Sequence, residues 1–199
     1  MCRKIFINIT LSIFSLVYCY ANFNKDFVGT TAGNFLKIGV GARAAGLGEA
    51  YNAISDDIYG IYWNPAGLSQ LKQKTIGITY TRWLKDINYN FIGYAQEFNF
   101  ITVAFGINQL SLPPIEKYDK YGYATGKSYT ATDTALNLSF AKELSQNLFT
   151  GLNIKFLQLN IDKFYTDGFA GDIGVLYRSD MLSVGLTFQN LGSQIKFIS

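Results

Sequence analysis

From Thr75 onward, side-chain character alternates at every second residue, and the alternation returns in segment after segment. Ile76, Ile78 and Tyr80 alternate with Gly77, Thr79 and Thr81; Ile101, Val103, Phe105 and Ile107 alternate with Thr102, Ala104, Gly106 and Asn108. Leu136, Leu138 and Phe140 stand against Asn137, Ser139 and Ala141, and Leu152, Ile154 and Phe156 against Gly151, Asn153 and Lys155. The pattern is clearest in Leu182, Val184, Leu186 and Phe188 against Ser183, Gly185, Thr187 and Gln189. A period of two is that of a β-strand, whose successive side chains point to opposite faces. The spacing predicts about seven antiparallel strands of roughly 9 to 11 residues over 75–199.

Alternation fits a sandwich as well as a barrel, so the polar faces have to decide. In a sandwich they meet bulk water and carry many Lys and Glu. Here they are mostly Gly, Ser, Thr, Asn and Gln, as in the lumen of a membrane barrel. The chain is only 16% charged and 16% aromatic, with no His. Aromatics gather near strand ends, at Tyr80, Trp83, Tyr89, Phe98, Phe100, Phe149, Phe164, Tyr165 and Tyr177, where interfacial girdles lie. The charges Lys85, Glu97, Lys142 and Arg178 also fall at ends.

With a periplasmic N-terminus, the connections 84–88, 111–128 and 160–167 fall outside and 98–99, 143–147 and 179–181 inside. Every outer one is at least as long as its neighbours, in keeping with short periplasmic turns. Asn190-Leu191-Gly192 then begins a further outer turn. The fold class is an all-β, antiparallel transmembrane β-barrel with a small N-terminal segment of helical and irregular structure.

Residues 1–21 read as a signal peptide for export, with Arg3-Lys4 as the basic region, Ile5 to Val17 as the apolar core and Cys19-Tyr20-Ala21 at the cleavage site. Lipidation of Cys19 is the alternative, opposed by the bulk of Tyr18. Without Arg3 and Lys4 the net charge falls from +3 to +1, which offers nothing to nucleic acid. Both cysteines lie in the signal, so the mature chain has neither a disulfide framework nor a thiolate metal site.

Residues 22–74 are a lead-in followed by the one part that does not read as strand. Ala44, Leu47, Tyr51 and Ile54 recur at helical spacing and predict a short helix within 44–57. Asn64-Pro65-Ala66-Gly67 is a turn: Pro65 fixes its own φ and pushes Asn64 out of the helical region, and Gly67 can take a positive φ. A segment of about forty residues does not fit inside an eight-stranded barrel, so a plug of this size implies a wider one.

Residues 35–50, Ser55-Asp56-Asp57 and Trp63-Asn64-Pro65-Ala66-Gly67-Leu68 together closely resemble the start of the PorV/PorQ family of outer-membrane proteins. The Asn-Pro-Ala element also resembles the N-terminal hatch of FadL-type fatty acid transporters. The resemblance is strong over 27–80 and one of pattern beyond, where Leu186 to Gly192 looks like a family strand end. It implies a barrel of about fourteen strands with a hatch inside, an even number of the known series, so this chain would hold about half of the larger barrel, as a truncated product would.

What the family does implies the partners: outer-membrane lipid, exported cargo proteins or other type IX secretion components, or, in FadL-like relatives, hydrophobic small molecules. No cofactor is implied.

Arg43, Asp56 and Asp57 have two readings. They gate the lumen or meet a substrate head group, or Arg43 is neutralised by an aspartate and pins the hatch to the lumen wall; the cost of an unpaired enclosed charge favours the second. Asn64, Pro65, Ala66 and Gly67 are read as a hatch turn before a ligand site. Lys155 and Asp172 share lumen parity and either pair or tune solute selectivity. The aromatic loop 112–127, with Tyr118, Tyr121 and Tyr123, is a partner surface or a cap. With no His, no mature Cys and no metal-ligand cluster, no catalytic or metal site is expected. Three functions remain: a secretion component of the outer membrane, a channel for hydrophobic solutes, and a structural surface β-protein.

Overall fold

A computed structural model describes residues 33–192 and Ile195. The signal peptide (1–21), Cys19 and the lead-in up to residue 31 lie outside the described residues.

The strands are β1 (Thr75–Arg82), β2 (Asn88–Phe98), β3 (Ile101–Ser111), β4 (Ile115–Tyr118), β5 (Ala124–Tyr129), β6 (Ala131–Ser145), β7 (Leu148–Ile161), β8 (Phe164–Arg178) and β9 (Ser183–Gly192). Seven of them form one sheet in the order β1-β2-β3-β6-β7-β8-β9, every neighbouring pair antiparallel. The other two, β4 and β5, make a hairpin inside the connection read above as the loop 111–128. Gly122 and Gly126, both at positive φ, turn and bend that hairpin where no side-chain alternation marks it.

Several boundaries differ from the sequence reading. Strands β6, β7 and β8 run 15, 14 and 15 residues and absorb most of the connections on either side. The outer connection at 160–167 shrinks to Asp162-Lys163, shorter than the inner one at 179–182, so the rule of longer outer connections does not hold there. Asn190-Leu191-Gly192 is strand, not turn. Opposite Asp172, β9 carries an extra residue, and Asn190 takes φ 57 at this bulge, a conformation Asn tolerates.

The two faces of the sheet are opposite in character to those of a water-soluble sandwich. Ile78, Ile92, Phe105, Ile154, Val184 and Leu186 are exposed, whereas Asn137, Ser139, Asn153 and Asp172 are buried. Two aromatics assigned to girdles, Tyr89 and Phe149, face inward and are buried. Each shares the parity of the inner residues of its strand, which outweighs its place near a strand end.

The inner face is covered by residues 33–72. Their helices are short: α1 (Ala42–Gly46), α2 (Gly60–Trp63) and single 3-10 turns at Asn34–Lys37 and Pro65–Gln70. The expected helix over 44–57 ends at Gly46, because Gly48 and Glu49 both take positive φ. Phe35, Val40, Tyr51, Ile58, Ile61, Trp63 and Leu68 form one core with inward Tyr89, Phe91, Leu157 and the strand alanines 95, 104, 135, 141 and 170. A flat sheet of this many strands would be about 29 Å across at roughly 4.8 Å per strand pair. Ile58 meets Gly77 on β1 and Asn52, six residues earlier, meets Gly185 on β9; a stretch that spans about 20 Å at most reaches both edges, so the sheet is curved around it.

Candidate functional site

The site is the seat of the N-terminal segment on the sheet, and glycine shapes it. Gly77, Gly93 and Gly106 lie directly opposite one another across β1, β2 and β3. A Cβ at Gly77 or Gly93 would overlap Ile58, and one at Gly106 would press on Ile61. Gly151 and Gly174 are a second cross-strand pair, on β7 and β8. Their missing side chains make room for the backbone of Pro65 and Ala66 and for the side chain of Asn64, while Gly185 on β9 accommodates Asn52.

Asn64 is fully buried and ties three parts together. Its Oδ1 accepts from the Ala66 N–H at 3.1 Å and caps the 3-10 turn, with Pro65 at the first helical position. Its Nδ2 donates to the carbonyls of Asn52 at 2.9 Å and Val175 on β8 at 3.3 Å. Gly67, expected to turn at positive φ, does not. What requires glycine there is the approach of the Ser55 carbonyl, which any Cβ would overlap.

Behind α2 a belt of polar side chains crosses the sheet. Asn108 Nδ2 donates to Tyr89 Oη at 3.1 Å, Asn137 Nδ2 to Asn108 Oδ1 at 2.8 Å, and Asn153 Nδ2 to Asn137 Oδ1 at 3.2 Å and Asp172 Oδ2 at 2.9 Å. Lys155 and Asp172, the two lumen-parity charges, form an ion pair at 2.9 Å with side chains only 3% and 0% exposed. The bulge completes it: Asn190 Oδ1 accepts from Lys155 Nζ at 2.7 Å, and its N–H donates to Asp172 Oδ1 at 2.8 Å. Enclosed charges persist only when paired and hydrogen-bonded; Lys155 meets both Asp172 and Asn190, and both oxygens of Asp172 accept hydrogen bonds.

Arg43 hydrogen-bonds Asp56 and lies 3.6 Å from Asp57, and it donates to Tyr51 Oη at 3.1 Å. All four belong to the N-terminal segment, so Arg43 braces that segment internally and does not reach the wall. The cation of the sheet that meets Asp56 is Arg178 at the end of β8, 3.5 Å away and hydrogen-bonded to Gln70. The hydrogen bond to Asp56 raises the Arg43 pKa further, and burial beside Asp57 raises that of Tyr51. Burial alone would raise Asp56, but the hydrogen bond and charge of Arg43, with Arg178, hold it below the usual carboxylate value. Burial also raises Tyr62, whose hydroxyl donates to the Leu36 carbonyl at 2.9 Å.

Sequence reasoning named Arg43, Asp56, Asp57, Lys155, Asp172 and the Asn64 turn, which the fold sorts into three places. Asn153, Gln189, Ser183, Tyr59 and the wall contact of Arg178 went unnoticed. Inward parity flags Asn153, Ser183 and Gln189 as facing the segment; nothing local flags Arg178.

A family model described as "Type IX secretion system protein PorV" matches residues 21–198. No curated protein matches the chain. Among the described residues no group of three or more His, Cys, Asp or Glu is placed to hold a metal, and no helix is long and apolar enough to cross a membrane.

Proposed function

Because the chain belongs to the PorV family of type IX secretion, a non-enzymatic, secretion-associated family of the outer membrane, we propose that it acts there as a membrane-spanning β-barrel component working through exported proteins. The observation that carries the reading is the inverted polarity of the sheet. Its apolar face points outward and exposed, Phe105 at 56% and Leu186 at 57%, while its polar face is buried against the N-terminal segment. A face of this kind is stable against hydrocarbon, and inside the sheet each strand pairs with a neighbour on both sides.

In this reading residues 33–72 are the hatch, with Asn64 to Gly67 as its seated turn. Arg43, Asp56 and Asp57 are its internal brace, and Lys155 with Asp172 stabilises the lumen wall. The test is co-purification from detergent-solubilised membranes: exported proteins carrying C-terminal sorting domains come down with the chain. Recovery of the chain in the soluble periplasm without detergent would end the barrel reading, and with it the secretion role.

One observation favours a second reading, a FadL-like channel for hydrophobic solutes. Apolar side chains of the hatch, Ile58 and Ile61, fill a glycine row that a slender apolar molecule could also occupy. Saturable binding of a fatty acid, without enrichment of exported proteins, is the outcome that would put this reading first.

A further inference from the structure

The N-terminal segment is held to the two flanks of the sheet by contacts of different kinds. Toward β7–β9 they are directional and aimed at its main chain. Asn153 donates to the Ile61 carbonyl at 3.2 Å, Gln189 to those of Tyr62 at 2.6 Å and Trp63 at 3.2 Å, and Ser183 to that of Ala53. Asn64 donates in return to the Val175 carbonyl, and Arg178 holds Gln70 and Asp56. Parting these surfaces would strand buried carbonyls and amides without partners, which is the expensive way to open a protein.

Toward β1–β3 the contact is smooth. Ile58 lies on Gly77 and Gly93 and Ile61 on Gly106, with the Phe91 ring leaning over Gly93 and Gly106 beside them, so the contacts there are apolar and carry no direction. Tyr59 supplies the polar contacts of that seam: its hydroxyl accepts from Thr79 Oγ1 at 3.0 Å and is 3.5 Å from the Ile78 carbonyl. Its ring sits 5.5 Å from that of Phe91. A tyrosine hydroxyl released from these contacts can be satisfied by water. At the root of β1, Lys72 pairs with Glu97 on the surface, and exposed Lys72, Gln73 and Lys74 connect the segment to the strand.

We infer that the N-terminal segment is a fixture of the β7–β9 wall, and that the seam between Ile58-Tyr59 and the glycine row of β1–β3 is where the inner face opens, with Tyr59 as its latch. The inference rests on these contacts alone and stands whatever solvent the outer face meets. Opening parts Ile58 and Tyr59 from Gly77, Thr79 and the ring of Phe91 while leaving Asn64 seated.

The test uses the full chain in detergent with Cys2→Ser and Cys19→Ser, so that an introduced cysteine is the sole thiol. Ile58→Cys on the seam and Ala66→Cys on the β7 side, both buried, are labelled with a water-soluble maleimide. The seam position reacts about tenfold faster or more, since labelling follows the local opening equilibrium. Adding Tyr59→Phe speeds labelling of the Ile58→Cys chain several-fold and leaves the Ala66→Cys chain unchanged. Equal rates, a faster Ala66→Cys chain, or equal acceleration of both by Tyr59→Phe would overturn the inference.

Should either cysteine variant fail to fold, amide hydrogen exchange of the unsubstituted chain replaces labelling, comparing the Tyr59 and Ile61 amides with those of Ala66 and Gly67. The Tyr59 and Ile61 amides exchange faster if the seam opens. Equal or reversed rates overturn the inference.

Discussion

At the scale of single residues, Asn64 concentrates more structure than any charged group. It caps a turn, and its amide satisfies two carbonyls of distant parts of the chain. Asn64→Ala removes the cap and takes the donor from the Asn52 carbonyl, at an expected cost of about 1–3 kcal/mol in denaturant unfolding from detergent. The Arg43 cluster predicts a pH dependence instead. Asp56 is held below its ordinary value, so its contribution is complete above the unfolded value of about 4 and is lost as pH falls through the lower folded value. Tyr51 is raised, so its contribution is complete below about 10 and is lost as pH climbs toward the folded value. Limited proteolysis across pH should show residues 33–72 cut faster below about pH 4, and Asp56→Asn should flatten that acid limb.

At the scale of elements, the seat depends on where side chains are missing. Gly151→Ala puts a methyl into the backbone of Pro65 and Ala66, and overpacking of that kind costs about 1–3 kcal/mol. Gly46→Ala, within α1 where nothing approaches the added methyl, is expected to be neutral or to stabilise by about 0.5–1 kcal/mol. Thermal melts of the two variants, followed by protease resistance of the N-terminal segment, separate the cases. Equal losses would mean that the glycines of the sheet do not form the seat. The bulge in β9 works at the same scale: one extra residue brings Asn190 to Lys155 and Asp172, while Gln189 keeps its donor on the carbonyls of α2.

At the scale of the molecule, seven strands that are antiparallel neighbour by neighbour leave β1 and β9 running in the same direction. Direct pairing of those two edges would be parallel, unlike every other pair in the sheet. The outer face carries the solvent test. On the barrel reading, Ile154→Arg, midway along β7 on the outer face, should cost about 2–4 kcal/mol in vesicle refolding. A change within about 0.5 kcal/mol, usual for wet surface positions, would count against a lipid-facing sheet. On the simple lumen picture Arg at Asn137 is cheap, but Asn137 is buried in the polar belt and offers no such room.

Much of this was legible in the chain, and the limit falls at a definite place. The period of two, the small polar inner parity, the near absence of mid-strand charge and the Asn-Pro-Ala-Gly turn all follow from local backbone geometry. They determined an all-β chain, the seven strands of its main sheet to within several residues, and its non-strand opening stretch by themselves, but not the hairpin β4–β5. Helical spacing overextends α1, because the positive φ at Gly48 and Glu49 is a choice among conformations that spacing does not record. Gly67 was given the wrong reason, since the Ser55 carbonyl it admits lies across a fold of the chain. Only the tertiary structure decided that Arg178 stands beside Asp56, that Ile58 rests on Gly77 and Gly93, and that Lys155 meets both Asp172 and Asn190. Those contacts depend on register, on one bulge and on the curvature of the whole sheet. These are set by the sum of many pairings, which no local stretch of sequence contains.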